Sequence, residues 1–541
     1  MSQVLTKKAI RSKTVQLGSL TLLSRAFGLI REVLLGRFLG SGMVSDAFFT
    51  AFKVPNMLRK IFAEGALSAA FVPRIVQTVR QEGKDEASKL ITLSFLVFEF
   101  LLLILSIPFV LFPRFFMFVI APGFNSLQID QTAPMIVLLM PFIFFISASA
   151  IFAGALQADH HFFIPAFSPV LFNIVLIIGL LLGMHYHLPA SFLCISIVFG
   201  GIAQVIAHYL IYRNLGFSFK KFDHKALSQF GKIFINFIVC APSVSLSEIS
   251  AFIDTSFASY IPGAISSVSY ASRFMGIPLG VFATSFSTIL LPHFTRVTTY
   301  APRRLGYYLL ESSKLIIWVT VPAGLWMMFF ARNIFQTLFL SSNFPMPQVI
   351  QASYVLIASL TGLVFFSLNK TLTTIFYAHH QTALPTAIAC VATIINICCN
   401  VLLMPLMGAP GLALGTTIGA MMQTGLSLLM LSYKIDVTLR PFSKSSVGIH
   451  LSSPGPMTFY PKAFLKFITG FAYQLAIVMG VSLALYYGVV VSLHSYADQQ
   501  TNMLLLESIW MWFWAGPLVL GSLAGLYYSR KFFGINLYFI D

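Results

Sequence analysis

Long apolar runs, interrupted at intervals by short polar or charged stretches, extend the length of this chain. Taken as helices able to cross the roughly 30 Å of a bilayer's hydrocarbon, they predict fourteen spans. These lie at roughly 15–38, 46–72, 90–113, 132–157, 163–184, 190–212, 233–259, 265–291, 315–331, 348–376, 383–404, 410–433, 467–492 and 508–529. The two longest charge-free stretches, 160–212 and 371–433, each hold two spans. They break at His185-Tyr186-His187-Leu188-Pro189 and at Pro405-Leu406-Met407-Gly408-Ala409-Pro410.

Composition agrees with an all-α polytopic membrane protein. Hydrophobic residues make up 57% of the 541, charged residues 9%, and mean hydropathy is +0.85, whereas a soluble domain carries about 25% charged residues. No cleavable signal peptide is expected, because Lys7, Lys8, Arg11 and Lys13 lead into a span with arginines inside it and no small-residue cleavage site. The five cysteines lie in apolar segments without metal-ligand spacing and read as small buried hydrophobes.

A net charge of +17 would suit nucleic acid, but its distribution excludes that class. Counting the N-terminus, the loops after spans 2, 6, 8 and 12 and the C-terminus as one side gives 24 cations; the other side has Arg114 and Arg332. The positive-inside rule then puts both termini in the cytoplasm.

Two halves of the chain echo each other. Ser68–Arg74, with Pro73, closes span 2, and Ser287–His293, with Pro292, closes span 8, an offset of 219. Ala158–Pro165 after span 4 matches Ala378–Pro385 after span 10 at an offset of 220, and Gly200…Gln204 matches Gly419…Gln423 at 219. Such a parallel repeat predicts two six-span lobes, 1–222 and 223–442, related by a pseudo-twofold and built to rock about a central site. Residues 443–541, a polar linker (roughly Ser443–Pro461) and spans 13 and 14, form an appended hairpin.

Ionised side chains inside the spans carry the functional reading. Span 1 holds Ser24, Arg25, Arg31 and Glu32; span 2 holds Asp46, Lys53, Arg59, Lys60 and Glu64. Arg273 in span 8 and Lys370 in span 10 interrupt otherwise uncharged stretches. A charge at mid-bilayer depth costs about 2.5–3.5 kcal/mol on insertion scales, so it faces a water-filled cavity, a partner or a polar ligand. Internal pairing is the competing reading for Lys60 and Glu64, four residues apart, and snorkelling for Arg37. Arg25, Arg31, Arg59 and Arg273 outnumber their acidic neighbours, and arginine forks onto phosphate where lysine is a point charge. They read as the wall of an anion cavity.

A second polar set, Glu248, Asp254, Asn396, Asn400 and Thr416, offers the oxygen ligands a hard monovalent cation prefers. Interhelical hydrogen bonding is the competing account. We take Asp254, Asn396, Asn400 and Thr416 as a candidate Na+ site. The His160-His161 and His379-His380 pairs read as loop histidines, and Glu99 has no account.

Several of these residues belong to a longer pattern. Ser24-Arg25…Gly28…Arg31-Glu32, Gly42…Asp46-Ala47-Phe48-Phe49…Lys53…Pro55-Asn56…Leu58–Ala66 and Ala70–Pro73 resemble the MurJ (MviN) lipid II flippases of the MOP exporter superfamily. Ala121-Pro122-Gly123-Phe124, Ile164–Phe167 and Tyr270–Arg273 extend the resemblance across both halves. It implies a flippase of the bacterial cytoplasmic (inner) membrane, serving cell-wall synthesis and cell shape. Its cargo would be the undecaprenyl-pyrophosphate-linked peptidoglycan precursor, moved to the outer leaflet. Arg25, Arg31, Asp46, Arg59 and Arg273 would be the family's charged cavity positions, with Ser24, Lys53, Asn56, Glu64 and Lys370 beside them. The chain departs from the family where Glu32 replaces the usual Asp. It departs again where Ser272 precedes Arg273 in place of an Asp, removing a salt-bridge partner, and where His379-His380-Gln381 replaces Arg-Gln-Asp.

The expected protein is therefore a transporter, not an enzyme, with no cofactor beyond a Na+ coupling ion. It would work by alternating access, as a monomer within the cell-wall synthesis machinery, on lipid II among membrane lipids. A MATE-like drug exporter would want an acidic, aromatic site for cationic drugs. A polyprenyl-phosphate enzyme would need convergent acid/base residues or a metal cluster in a loop. A non-transporting scaffold would not need four intramembrane arginines, and no nucleotide-binding signature is present.

Overall fold

The computed structural model describes residues 7–64, 66–301, 304–379, 381, 383–434, 461–496, 506 and 508–540. Most of the linker expected at 443–461, and His380, lie outside them. The described residues are helical throughout, apart from turns and one isolated bridge, Ser341–Phe344. Ten helices are long and apolar enough to cross a membrane, or eleven if Met346–Thr361 and Leu363–Ala378, bent by 43°, count as one span. The arginine-bearing helix Lys7–Leu39 and the broken helix Met43–Glu82 are not among those counted. The chain is an all-helical, multi-pass membrane protein.

It forms two compact units. The first comprises 1–266 and 341–345, the second 267–340 and 346–541. Unit 1 holds α1 (Lys7–Leu39), α2 (Met43–Arg59), α3 (Ala66–Glu82), α4 (Lys84–Leu111), α5 (Pro113–Ile120), α6 (Ser126–Leu139), α7 (Pro141–Ala158), α8 (Phe163–His185), α9 (Ala190–Asn214) and α10 (His224–Ala258). Local chemistry sets the boundaries. Asn125 and Gln128 form a reciprocal capping box at the start of α6 (2.8 and 3.0 Å). Pro141 opens α7 at a position where its missing N–H costs nothing. An aromatic cluster joins α4 and α10: Phe98 and Phe237 are 5.1 Å apart, and Phe62, just beyond α2, is 5.2 Å from Phe237.

α11 (Ala264–Pro278) begins at the end of unit 1 and continues in unit 2 with α12 (Ser285–Tyr300), α13 (Leu305–Phe329), α14 (Ala331–Phe339), α15 (Met346–Thr361), α16 (Leu363–Ala378), α17 (Ala383–Met407) and α18 (Ala409–Lys434). Leu290, Phe294, Leu372, Ile375 and Phe376 form a core between α12 and α16. The bend between α15 and α16 falls at Gly362, where a Cβ would lie 2.6 Å from Thr417 Oγ1. The hairpin, α19 (Pro461–Tyr496) and α20 (Trp512–Ser529), packs on α13 through Ile317, Trp318, Phe467, Phe471 and Leu526. Buried Gln474 ties the three helices: it accepts from Trp318 Nε1 (3.1 Å) and donates to Leu526 O (2.6 Å) and Ser529 Oγ (2.9 Å). The chain beyond α20 folds back so that Ile535 and Leu537 complete this core.

The internal repeat has local counterparts. A π-helical turn, Lys60–Glu64, interrupts the helix α2–α3, and another, Leu279–Thr284, interrupts α11–α12, 219 residues later. Helices α7 and α16 end with the same backbone closure, His161 N to Leu156 O (2.8 Å) and Gln381 N to Phe376 O (2.9 Å).

Candidate functional site

In unit 1 the site is built on α1, α2 and α8. Helix α1 ends at Leu39, so at 1.5 Å per residue Arg31 lies about 12 Å and Arg25 about 21 Å inside that end. Arg25 is exposed and Arg31 half-buried. Arg31 is held on two sides: Nη2 pairs with the carboxylate of buried Glu32, and Nη1 donates to Asn173 Oδ1 on α8 at 2.8 Å. Asn173 Nδ2 in turn donates to the carbonyl of Ser24, 3.3 Å away. Arg31 and Ser24 are thus gathered around one amide. On α2, Arg59 directs both Nε (3.2 Å) and Nη2 (3.0 Å) onto Asn56 Oδ1, one turn earlier. Lys53 is half-buried on the same helix, and the side chain of Glu64 lies outside the described residues.

Asp46 stands apart from these. It is 1% exposed, and its carboxylate accepts from the backbone N–H of Gly263 (2.7 Å) and Ser266 (2.8 Å) at the start of α11. A carboxylate there complements the orphan amides and positive end of a helix, so Asp46 caps a helix rather than presenting a face to a ligand. Ser41 reinforces the contact by bonding Ser266 Oγ (3.0 Å) and Gly263 O (3.3 Å). Gly123 of the Ala-Pro-Gly-Phe loop donates to Ser259 Oγ (2.9 Å) and runs so near Tyr260 that a Cβ would lie 2.6 Å from its backbone nitrogen.

Lys60 bonds Glu248 of α10 at 2.6 Å, a partner 188 residues away, and the expected pairing with Glu64 falls on a side chain outside the described residues. Glu248 is thereby a counter-ion to Lys60 in unit 1. Glu99 has Ser147 of α7 beside it. On the opposite rim of unit 1, Lys84 bonds Asp159 (2.9 Å) and Leu215 O (2.7 Å), and Lys220 bonds Asp85 (2.6 Å). Lys89 bonds Asp223 (2.9 Å), which also accepts from Ala226 N at the start of α10. That backbone bond, and then Lys89, hold the Asp223 carboxyl below its ordinary range.

In unit 2, Arg273 on α11 and Lys370 on α16 are exposed. Of the candidate Na+ ligands, Asn396 and Asn400 are buried on α17, and Gly415 of α18 approaches so closely that a Cβ there would lie 2.2 Å from Asn400 Oδ1. Thr416 is half-buried, its hydroxyl donating to Leu412 O at 3.0 Å. Asp254 is half-buried on α10, in unit 1. No group of three or more His, Cys, Asp or Glu among the described residues could hold a metal, and none of the five cysteines forms a disulfide.

Asn173 escaped sequence reasoning. Its one signal was a carboxamide in the charge-free stretch 160–212, which reads equally well as glue between helices.

The many apolar helices define a polytopic membrane protein whose helix α1 carries two guanidinium groups well inside its C-terminal end, and solved structures share its fold. One described as "Lipid II flippase MurJ, inward closed conformation" superposes with a TM-score of 0.73, covering 96% of this chain and 99% of that one at 24% identity. An inward-facing MATE-family multidrug resistance transporter of the MOP superfamily gives 0.66 over 78% of this chain and 98% of its own, at 13% identity. The family model for lipid II flippase MurJ matches residues 35–473, and the chain belongs to that family. The lipid II flippase MurJ of Burkholderia cenocepacia is 30% identical over 464 residues, 81% of this chain and 84% of that protein. The probable lipid II flippase MurJ of Rickettsia prowazekii is 30% identical over 416 residues, 76% and 81% of the two chains.

Proposed function

We propose that this chain flips lipid II, the undecaprenyl-pyrophosphate-linked peptidoglycan precursor, across the bacterial inner membrane. The observation that carries the reading, beside family membership, is Arg31: a guanidinium about 12 Å inside α1, oriented by Glu32 and Asn173 with donors to spare for a phosphate. Arg25, Arg59 and Arg273 join it in binding the pyrophosphate, while the polyprenyl tail stays in lipid. The relatives are named as flippases, which are transporters, and the cycle involves no catalysis.

The finer architecture is fourteen spans in two parallel six-helix lobes plus the hairpin, the lobes alternating between inward-open and outward-open. The matched π-helical turns support the repeat. Both termini are cytoplasmic. In support, the loops expected outside gather around Gly123, Ser259 and Gly263, and those expected inside share the Lys84, Lys89 and Lys220 bridges. Moving an anion outward across an inside-negative membrane is favourable by about 2.3 kcal/mol per charge per 100 mV, so the membrane potential drives the step. A Na+ ion held by Asp254, Asn396, Asn400 and Thr416 would contribute a second gradient. Their oxygens suit a hard monovalent cation, and Na+-specific thermal stabilisation over K+ at equal ionic strength tests this. The protein acts as a monomer within the cell-wall machinery.

The anion site is tested by changing Arg25, Arg31, Arg59 and Arg273 to Ala and to Lys in a flippase-depleted strain. Each Ala variant should fail and each Lys variant should mostly fail, since fork geometry as well as charge holds the ligand. Loss of such a contact should cost roughly 2–5 kcal/mol. Full complementation by the fourfold Lys variant would overturn the bidentate reading.

A further inference from the structure

We infer that Asn173 is the positioning residue for the pyrophosphate-binding arginine Arg31, and that a neutral amide is required there. The inference rests on the flippase reading and extends it to a residue outside the charged set.

The geometry has three parts. Asn173 is 5% exposed, on a helix whose neighbouring stretch carries no charge, and its Oδ1 takes the Arg31 Nη1 donor at 2.8 Å. Its Nδ2 is anchored on the backbone carbonyl of Ser24 (3.3 Å), two turns earlier on α1, so the amide cannot turn without breaking a second bond. Gly28 lies on α1 between those points, where an added Cβ would stand 3.7 Å from Asn173 Nδ2, in ordinary van der Waals contact with the amide.

A guanidinium has five N–H donors. The bonds to Glu32 and Asn173 use one donor on each Nη, fewer than the group can offer a phosphate. Charge explains why an amide does this. Glu32 already supplies one negative charge to Arg31; a second carboxylate would leave the local sum negative and repel a phosphate, whereas a carboxamide gives the hydrogen bond at no cost in positive field. The repeat supports a role particular to this half. At the offset of 220 set by Pro165 and Pro385, the counterpart of Asn173 is Thr393, whose hydroxyl turns back onto Ala389 O of its own helix at 2.9 Å.

The test uses the full-length protein in nanodiscs, with undecaprenyl pyrophosphate and uncharged undecaprenol as probes and the melting temperature as control. Asn173→Ala should weaken undecaprenyl pyrophosphate binding by about tenfold or more, leave undecaprenol binding unchanged, and add nothing to the loss caused by Arg31→Ala. Asn173→Asp, of the same size and still an acceptor, should keep the wild-type melting temperature yet bind the pyrophosphate no better than Asn173→Ala. Wild-type pyrophosphate affinity in both variants, or a loss fully additive with Arg31→Ala, would overturn the positioning role alone. If the wild-type protein bound both lipids equally, the flippase reading would fail, and this inference with it.

Discussion

Breaking the Lys60–Glu248 pair should be costly from one side and cheap from the other. The two atoms are 2.6 Å apart, but Glu248 is 6% exposed while 40% of the Lys60 side chain is accessible. Fully buried pairs lose about 3–5 kcal/mol when one partner is removed, because a charge is stranded; exposed pairs lose about 0–1 kcal/mol. Lys60→Met strands the buried carboxylate, so after discounting for the exposed ammonium it should cost about 2 kcal/mol. Glu248→Met leaves a lysine that can reach water or headgroups, and should cost under about 1 kcal/mol. The double Met variant strands nothing and should lie near the wild type, so the cycle shows a coupling of about 1–2 kcal/mol. Equilibrium unfolding of the purified protein in mixed detergent–SDS micelles measures all four corners. Equal single costs, or a double variant as unstable as their sum, would refute the reasoning.

Three further outcomes follow from the contacts. Asp46→Ala removes two charge-assisted bonds to backbone amides, about 1.5–3 kcal/mol each, and should lower the melting temperature well below that of Asp46→Asn, which retains one acceptor. Gly123→Ala, with its Cβ 2.6 Å from Tyr260 N, should lower the yield of folded protein; a yield equal to wild type would show that the loop can move aside. Gln474→Leu leaves the Trp318 N–H and Leu526 carbonyl without their partner, costing about 1–3 kcal/mol per stranded group, and should speed hydrogen exchange in α19 and α20 while leaving α4 unchanged.

Hydrophobic runs made the all-helical, multi-pass architecture legible, since membrane helices must satisfy their backbone internally. The repeat was legible too: the offset of 219 read from Pro73 and Pro292 recurs in the π-helical turns at Lys60 and Leu279. The turns themselves were not legible, because one is charged and the other apolar and no composition marks an i→i+5 bond. Arg31 announced itself by charge, but Asn173 did not, because a hydrogen bond between residues 142 positions apart leaves no local trace. Glu248 as a partner of Lys60 left no trace for the same reason: it comes close only through the packing of α10. The partners of Asp46 are backbone amides, which every residue except proline has and no sequence pattern singles out, so its place at the start of α11 left no trace beside the cavity position expected of it.

The most direct test is to replace the resident lipid II flippase of a bacterium with this chain and assay in which leaflet lipid II resides. Membrane-inserted wild-type protein should restore lipid II to the outer leaflet, and Arg31→Ala at equal abundance should leave it in the inner one. Lipid II retained in the inner leaflet despite normal levels of the wild-type chain would contradict lipid II flipping as its function.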